Sequence, residues 1–227
     1  MIRRILLLPL LAAALTILLA ACDPAPKAAK DAAPPPEVAA VPLFDTFGDL
    51  HRDVATRVPA AQRSFDQGLR MAYGFNHEAA GRAFAEAARL DPQCAMCVWG
   101  QALVLGPNIN LPMDPALAPE ASALAARAAS LGGTARPADR ALIQELQARY
   151  ADPAPEDRSP LDRAYADAMA RVVAQFPEDD DAATLHAEAL MDLSPWAYWA
   201  ADGSPAEFTP RLIGELNAGA TVAGPPQ

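Results

Sequence analysis

From Ala60 onward the apolar residues recur at helical spacing. Phe65, Leu69, Ala72 and Tyr73 stand at i, i+4, i+7 and i+8, and Ala80, Phe84, Ala87 and Ala88 repeat that interval after a break at Gly74-Phe75-Asn76. The pattern predicts one helix ended by Gly74 and a second capped by Asn76, with Glu78 in its first turn where the helix dipole favours a negative charge. A turn at Asp91-Pro92 leads into a third helix with Cys94 and Cys97 in its first turn. Residues 106 to 115, GPNINLPMDP, read as a loop. Asp114 and Pro115 then open a helix to about residue 131, stopped by Gly132 and Gly133. Pro137 opens the next, to Tyr150, and residues 151 to 160 are a polar connection. Ser159, Pro160 and Asp162 start a further helix ending near Phe176-Pro177, and Asp179 to Asp181 cap a last clear one that runs to Leu193. The expected fold class is all-α, built from three or four helical hairpins between residues 60 and 200. Residues 43 to 59, which include His51, form an irregular lead-in with no assigned role, and residues 201 to 227 read as an atypical or disordered tail.

The first residues follow a different logic. Arg3 and Arg4 precede an unbroken apolar run from Ile5 to Ala20, and Leu19-Ala20-Ala21-Cys22 closes it with small residues before a cysteine. This is the layout of a secretory signal ending in a bacterial lipoprotein cleavage site, so residues 1 to 21 are expected to be removed and Cys22 to carry lipid. A membrane-spanning helix is the competing reading, since the run approaches spanning length. Residues 22 to 42, rich in Pro and Ala, are expected to form an extended, disordered tether. At about 3.1 Å per residue it would lift the domain several tens of ångströms off the membrane.

Charge narrows the list of partners. The chain carries a formal net charge of −10, and loss of Arg3 and Arg4 with the signal makes the remainder still more acidic. Such a chain does not bind nucleic acid by releasing counterions from phosphates. Two cysteines then remain in an oxidising compartment, which favours a disulfide between them.

The small residues Gly68, Ala80 and Ala87 around the bulky Phe84, followed by Pro92, let paired helices approach closely. That spacing resembles the tetratricopeptide repeat, a helix-turn-helix unit of about 34 residues that stacks into a superhelix. The resemblance covers residues 62 to 105; Trp99 and Gly100 then fall out of the usual register, and later units are degenerate. Over residues 43 to 205 the chain is similar to a family of exported bacterial tetratricopeptide lipoproteins, through FDQGL, FNHEAA, DPQCAMCVWG, GPNIN and LMDL followed by PW and DG. The resemblance implies a short right-handed solenoid of stacked hairpins and no known activity. It also implies that this chain is shorter than its relatives, which carry further repeats and several histidines, and that the final GELNAGATVAGPPQ departs from the family pattern.

Candidate chemistry is sparse. Cys94 and Cys97 at i, i+3 in a first helical turn leave three readings open: two small side chains filling a hairpin, a structural or redox disulfide, or half of a metal site. Met96, His77 and Met113 would complete a soft copper site if the fold gathered them. Val98 after Cys97 rules out covalent haem attachment. His186 and Glu188, with Pro92 and the two cysteines, hold the pieces of a zinc deaminase signature in the wrong order. The run PEDDD at 177 to 181 reads as a helix start and solvated surface, with calcium as the other option. No phosphate loop, nucleophile elbow or His-Glu-x-x-His helix occurs, so no enzyme activity and no cofactor are expected. What remains is the inner face of the repeat, which in such proteins takes a peptide or protein segment. Gln67, Arg70, Asn76, Gln101, Asn108 and Asn110 are its candidate contacts. The expected function is a lipid-anchored, periplasm-facing binding or scaffolding module with a protein or peptide partner. The alternative is a thiol-redox or copper/zinc handling protein centred on Cys94 and Cys97.

Overall fold

The computed structural model describes residues 41 to 222, with side chains to residue 217. The signal sequence, the tether and the lipidation residue Cys22 lie outside the described residues. Eight α-helices follow one another: α1 (Pro59–Tyr73), α2 (His77–Leu90), α3 (Ala95–Leu103), α4 (Ala118–Leu131), α5 (Pro137–Glu145), α6 (Ser159–Gln175), α7 (Asp180–Asp192) and α8 (Thr209–Val222). Among the described residues there are no strands, so the chain is all-helical as its periodicity requires. No described helix is long and apolar enough to cross a membrane.

The helix starts follow the capping chemistry of the sequence. Asn76 accepts a bond from the Ala79 amide at 3.3 Å, and Asp179 accepts one from the Ala182 amide at 3.0 Å. Pro59 and Pro137 occupy first-turn positions where an amide hydrogen has no partner to lose. Two ends differ from the sequence reading. The stretch 115 to 117 is a 3-10 turn before α4, and α5 tightens into a 3-10 turn over 146 to 149. After α1 the backbone reverses at Phe75, with φ of 56°, while Gly74 stays at −81°. A phenylalanine in the left-handed region costs on the order of 1 kcal/mol, which the neighbouring glycine would have avoided.

Sequential neighbours pair along the chain: α1 with α2, α3 with α4, α6 with α7, and α7 with α8. Their core rests on small against large. Phe84 of α2, fully buried, lies between Gly68 of α1 and Gly100 of α3. A methyl group added at Gly68 would sit 2.7 Å from Cδ1 and Cε1 of the ring, and one at Gly100 would press on the same edge, 2.6 Å from Cε1 and Cγ. Gly100, out of register by the repeat pattern, is therefore required by packing.

The tail is the main correction to the sequence reading. Residues 209 to 222, expected to be atypical or disordered, form α8, which packs on α7 and buries Leu212. Its apolar spacing is short, with Leu212 followed by Ile213 and Leu216, both left largely exposed. So weak a period carries little helical signal in the sequence.

A buried polar knot fixes the loop after α3. The Arg149 guanidinium, 2% exposed, donates to the Pro107 carbonyl at 2.7 Å and to Asp192 Oδ2 at 3.0 Å. It also lies 4.5 Å above the Tyr165 ring. Burial pushes the Asp192 carboxyl up to about 7 despite Arg149, and its second oxygen has no partner among the described residues.

Candidate functional site

The lead-in, residues 41 to 58, is irregular, with a turn at 45 to 47, and lies along α1, where side chains of the helix read its backbone. Gln67 makes two such bonds at once: its Oε1 accepts from the Phe44 amide at 2.8 Å and its Nε2 donates to the Pro42 carbonyl at 2.9 Å. Arg70 Nε donates to the Leu50 carbonyl at 2.8 Å. One turn earlier, Gln62 Nε2 donates to the Arg52 carbonyl at 2.8 Å and Gln62 Oε1 accepts from the Val54 amide at 3.1 Å. Amide side chains that donate and accept toward an irregular segment satisfy backbone groups that no strand partner serves.

The anchor of this strap is Arg52. Its side chain, 6% exposed, makes five hydrogen bonds to three carboxylates of two helices far away in sequence. Nε and Nη2 donate to Asp139 Oδ1 at 3.0 and 2.7 Å, Nη1 and Nη2 donate to the two oxygens of Asp179 at 2.9 and 3.0 Å, and Nη1 donates to Asp181 Oδ2 at 2.8 Å. Asp139 stands in the first turn of α5; Asp179 caps α7 and Asp181 lies in its first turn, so both helix dipoles also favour the carboxylates. Burial alone would lower the Arg52 pKa, but the bonds to Asp179 and Asp181 and the charge of Asp139 hold it raised, so the guanidinium stays charged. Burial likewise opposes ionisation of Asp179, and Arg52 overrides it, keeping that carboxyl below its usual range. Around this centre Tyr73 donates to Asp181 at 2.6 Å, Arg136 donates to Asp139 at 2.9 Å, and the Arg52 amide and His51 ring meet Asp66 at 3.3 and 2.8 Å.

This corrects the reading of the run PEDDD as helix start plus solvated surface. Asp179 does cap α7, but with Asp181 it also forms the nest that takes Arg52. Two sequence features pointed that way: an arginine in a lead-in without periodicity, and more carboxylates at one helix start than capping needs.

The six candidate contact residues do not form one open face. Gln67 and Arg70 hold the chain's own strap. Asn76 is a helix cap. Asn108 is buried, its Oδ1 accepting from the amides of Asn110 and Leu111 and its Nδ2 meeting His77 Nδ1 at 3.2 Å. Gln101 is half-buried, its amide reaching the Cys97 carbonyl at 3.4 Å, and Asn110 is exposed. Turn and cap chemistry accounts for the asparagines at 76 and 108.

Cys94 and Cys97 are joined, with an S–S distance of 2.03 Å, and both are almost fully buried. The pair thus both fills the hairpin and cross-links the first turn of α3, where Cys94 Sγ accepts from the Cys97 amide at 3.2 Å. The soft-metal grouping is not assembled. The disulfide consumes both thiolates, Met113 Sδ accepts from Arg158 Nη1 at 3.0 Å, Met96 is buried, and His77 faces Asn108. Among the described residues no group of three His, Cys, Asp or Glu side chains could hold a metal ion.

His186, from the deaminase-like fragment, is fully buried. Its Nδ1 lies 3.1 Å from Glu215 Oε1 of α8, a close approach whose direction does not meet hydrogen-bond geometry, and Nε2 has no partner among the described residues. Burial lowers its pKa, so the ring packs neutral. No protein-family model, curated protein or solved structure matches the chain.

Proposed function

We propose that the chain is a lipid-anchored helical-repeat module, held through Cys22 on the periplasmic side of a bacterial membrane, that binds a protein or peptide segment and performs no catalysis. In this reading its hairpins wind as a short right-handed solenoid of tetratricopeptide type, and residues 1 to 42 serve as signal and tether.

What supports the reading most is the way α1 treats the lead-in. Gln67 and Arg70 bond to backbone groups of the lead-in, Gln62 does the same while also donating to the Asp66 carboxylate, and a carboxylate nest takes one arginine. Main-chain bonds supply affinity whatever the sequence, and a single deep side-chain site supplies selectivity, which is how grooves recognise peptides. The chain's own strap occupies that groove, so a partner segment either replaces it or extends along the neighbouring helices past Gln101 and Asn110.

Two arms of one experiment test this in a bacterial host. Labelled palmitate enters the wild-type chain and not Cys22→Ala, and a photoreactive residue at Gln101 gives one discrete adduct with an envelope protein. Palmitate incorporation that survives Cys22→Ala sinks the anchor; the absence of any adduct beyond background sinks the binding role.

Thiol handling has the Cys94–Cys97 disulfide in its favour and the burial of both sulfurs against it. If mild reductant leaves the free-thiol titre of the folded protein unchanged, that alternative falls.

A further inference from the structure

A partly enclosed cavity of about 220 Å³ lies among residues of α1, α2, α3, α7 and α8 and shares Tyr73 with the nest that holds Arg52. Its wall is largely apolar, with Leu103, Val104, Leu185 and Met191, and one acid, Glu188, reaches it from α7. The buried and half-buried acids near the strap all have donors: Asp66, Asp139, Asp179 and Asp181 each accept hydrogen bonds from arginine, glutamine, tyrosine or histidine side chains. Glu188, half-buried, accepts none among the described residues. The cation facing it, Arg149, spends its bonds on Asp192 and the Pro107 carbonyl and has its face covered by Tyr165. Burial accordingly raises the Glu188 pKa, with the Arg149 charge only partly opposing it.

A half-buried carboxyl with no protein donor, on the wall of a largely apolar cavity, is open to a donor from outside the chain. A neutral apolar guest would leave it unsatisfied, and a carboxylate guest would face like-charge repulsion from Glu188 while Arg149 is already engaged. A cation on an apolar stem satisfies both halves of the site. Aromatic faces stand ready for it, because Tyr73 and Phe75 line the same cavity. Phe75 is the residue held at φ of 56°, and its ring stacks on His77 at 6.5 Å. Backbone strain at the rim of a cavity accords with a placed side chain.

We infer that this cavity is a binding site for a small primary amine with an apolar body, the ammonium paired with Glu188 and the body packed against Leu103, Val104, Leu185 and Met191. The site is independent of the peptide-binding role proposed for the strap groove and stands if that role fails. The same chemistry could arrive as a lysine side chain of a partner, and the choice of probes separates the two sources.

The test is calorimetric titration of the full chain with 2-phenylethylamine, its neutral analogue 2-phenylethanol, the anion 3-phenylpropionate, and a short lysine peptide with blocked ends. The amine should bind at least about tenfold more tightly than the alcohol or the anion, equivalent to about 1.4 kcal/mol. Glu188→Gln should remove that preference. Because Glu188→Gln could alter folding, its melting temperature is checked beside the titration, and Thr184→Phe, which fills the cavity from an exposed position on its wall, should abolish amine binding independently. Tighter binding of the lysine peptide would keep the chemistry and assign it to a protein partner. No binding of any amine, equal binding of alcohol and amine, or an amine affinity untouched by Glu188→Gln in a folded protein each overturns the inference.

Discussion

Replacing Arg52 by methionine is expected to destabilise the domain by about 3 to 5 kcal/mol, more than any other single surface or lead-in substitution. The reason lies with the partners left behind. Asp139 is fully buried and Asp179 and Asp181 are partly buried; without the guanidinium three carboxylates face one another with Arg136, the Tyr73 hydroxyl and the Ala182 amide as donors. Their mutual repulsion and lost hydrogen bonds add to the desolvation they already bear. For a domain of this size the loss corresponds to a fall in melting temperature of roughly 10 °C or more. Arg52→Lys keeps the charge but cannot make five bonds in a planar fork, so it should fall between wild type and methionine. The contrasting control is Arg82→Ala, whose pair with Glu78 is exposed and should leave the melting temperature unchanged. Equal melting temperatures for Arg52→Met and wild type would mean that the nest does not hold the strap.

Gly100→Ala is expected to be the second largest effect, and two opposing terms decide its sign. Alanine favours a helix over glycine by about 1 kcal/mol. Against that, the new methyl would press on the Phe84 ring at 2.6 Å, far inside van der Waals contact, from a side where Gly68 leaves no room to retreat. Overpacking of this kind costs about 3 kcal/mol, so the net change is destabilising by about 2 kcal/mol. Gly81→Ala is the control of opposite sign, because its methyl would meet only Val104 Cγ2 at an ordinary 3.5 Å and helix propensity should then win. The pair Gly100→Ala with Phe84→Leu should recover part of the loss, since the smaller side chain frees the space. Thermal unfolding of these four chains measures it, and a Gly100→Ala protein as stable as wild type would contradict the packing described for α1, α2 and α3.

Local rules made much of the fold legible in the sequence. Periodicity around Phe65 and Phe84 placed α1 and α2, and the side chains of Asn76 and Asp179 marked helix starts that the structure retains. Chemistry carried by distant pairs was not legible. Arg52 lies 87 residues from Asp139 and 127 from Asp179, and neither spacing nor propensity encodes such a contact. The candidate face illustrates the same limit. Gln67 and Arg70 stand where a chain segment binds, but only the folded structure shows that the chain in place is residues 42 to 50 of the same molecule. For the cysteines the spacing allowed both packing and bonding, and the outcome combines them, because a disulfide between i and i+3 buries as readily as two thiols. Helix α8 offers little period to read, because among its described side chains Leu212 is the one buried hydrophobic.

The account rests on the lead-in being folded onto α1 as part of the domain, and amide hydrogen exchange tests that most directly. The amides of Phe44, Arg52 and Val54 each donate to a side chain of α1, at 2.8, 3.3 and 3.1 Å. They are expected to exchange at least about tenfold more slowly than in the free peptide, with Gln67→Ala releasing Phe44 alone. Exchange at free-peptide rates for all three in the wild-type protein would contradict the account.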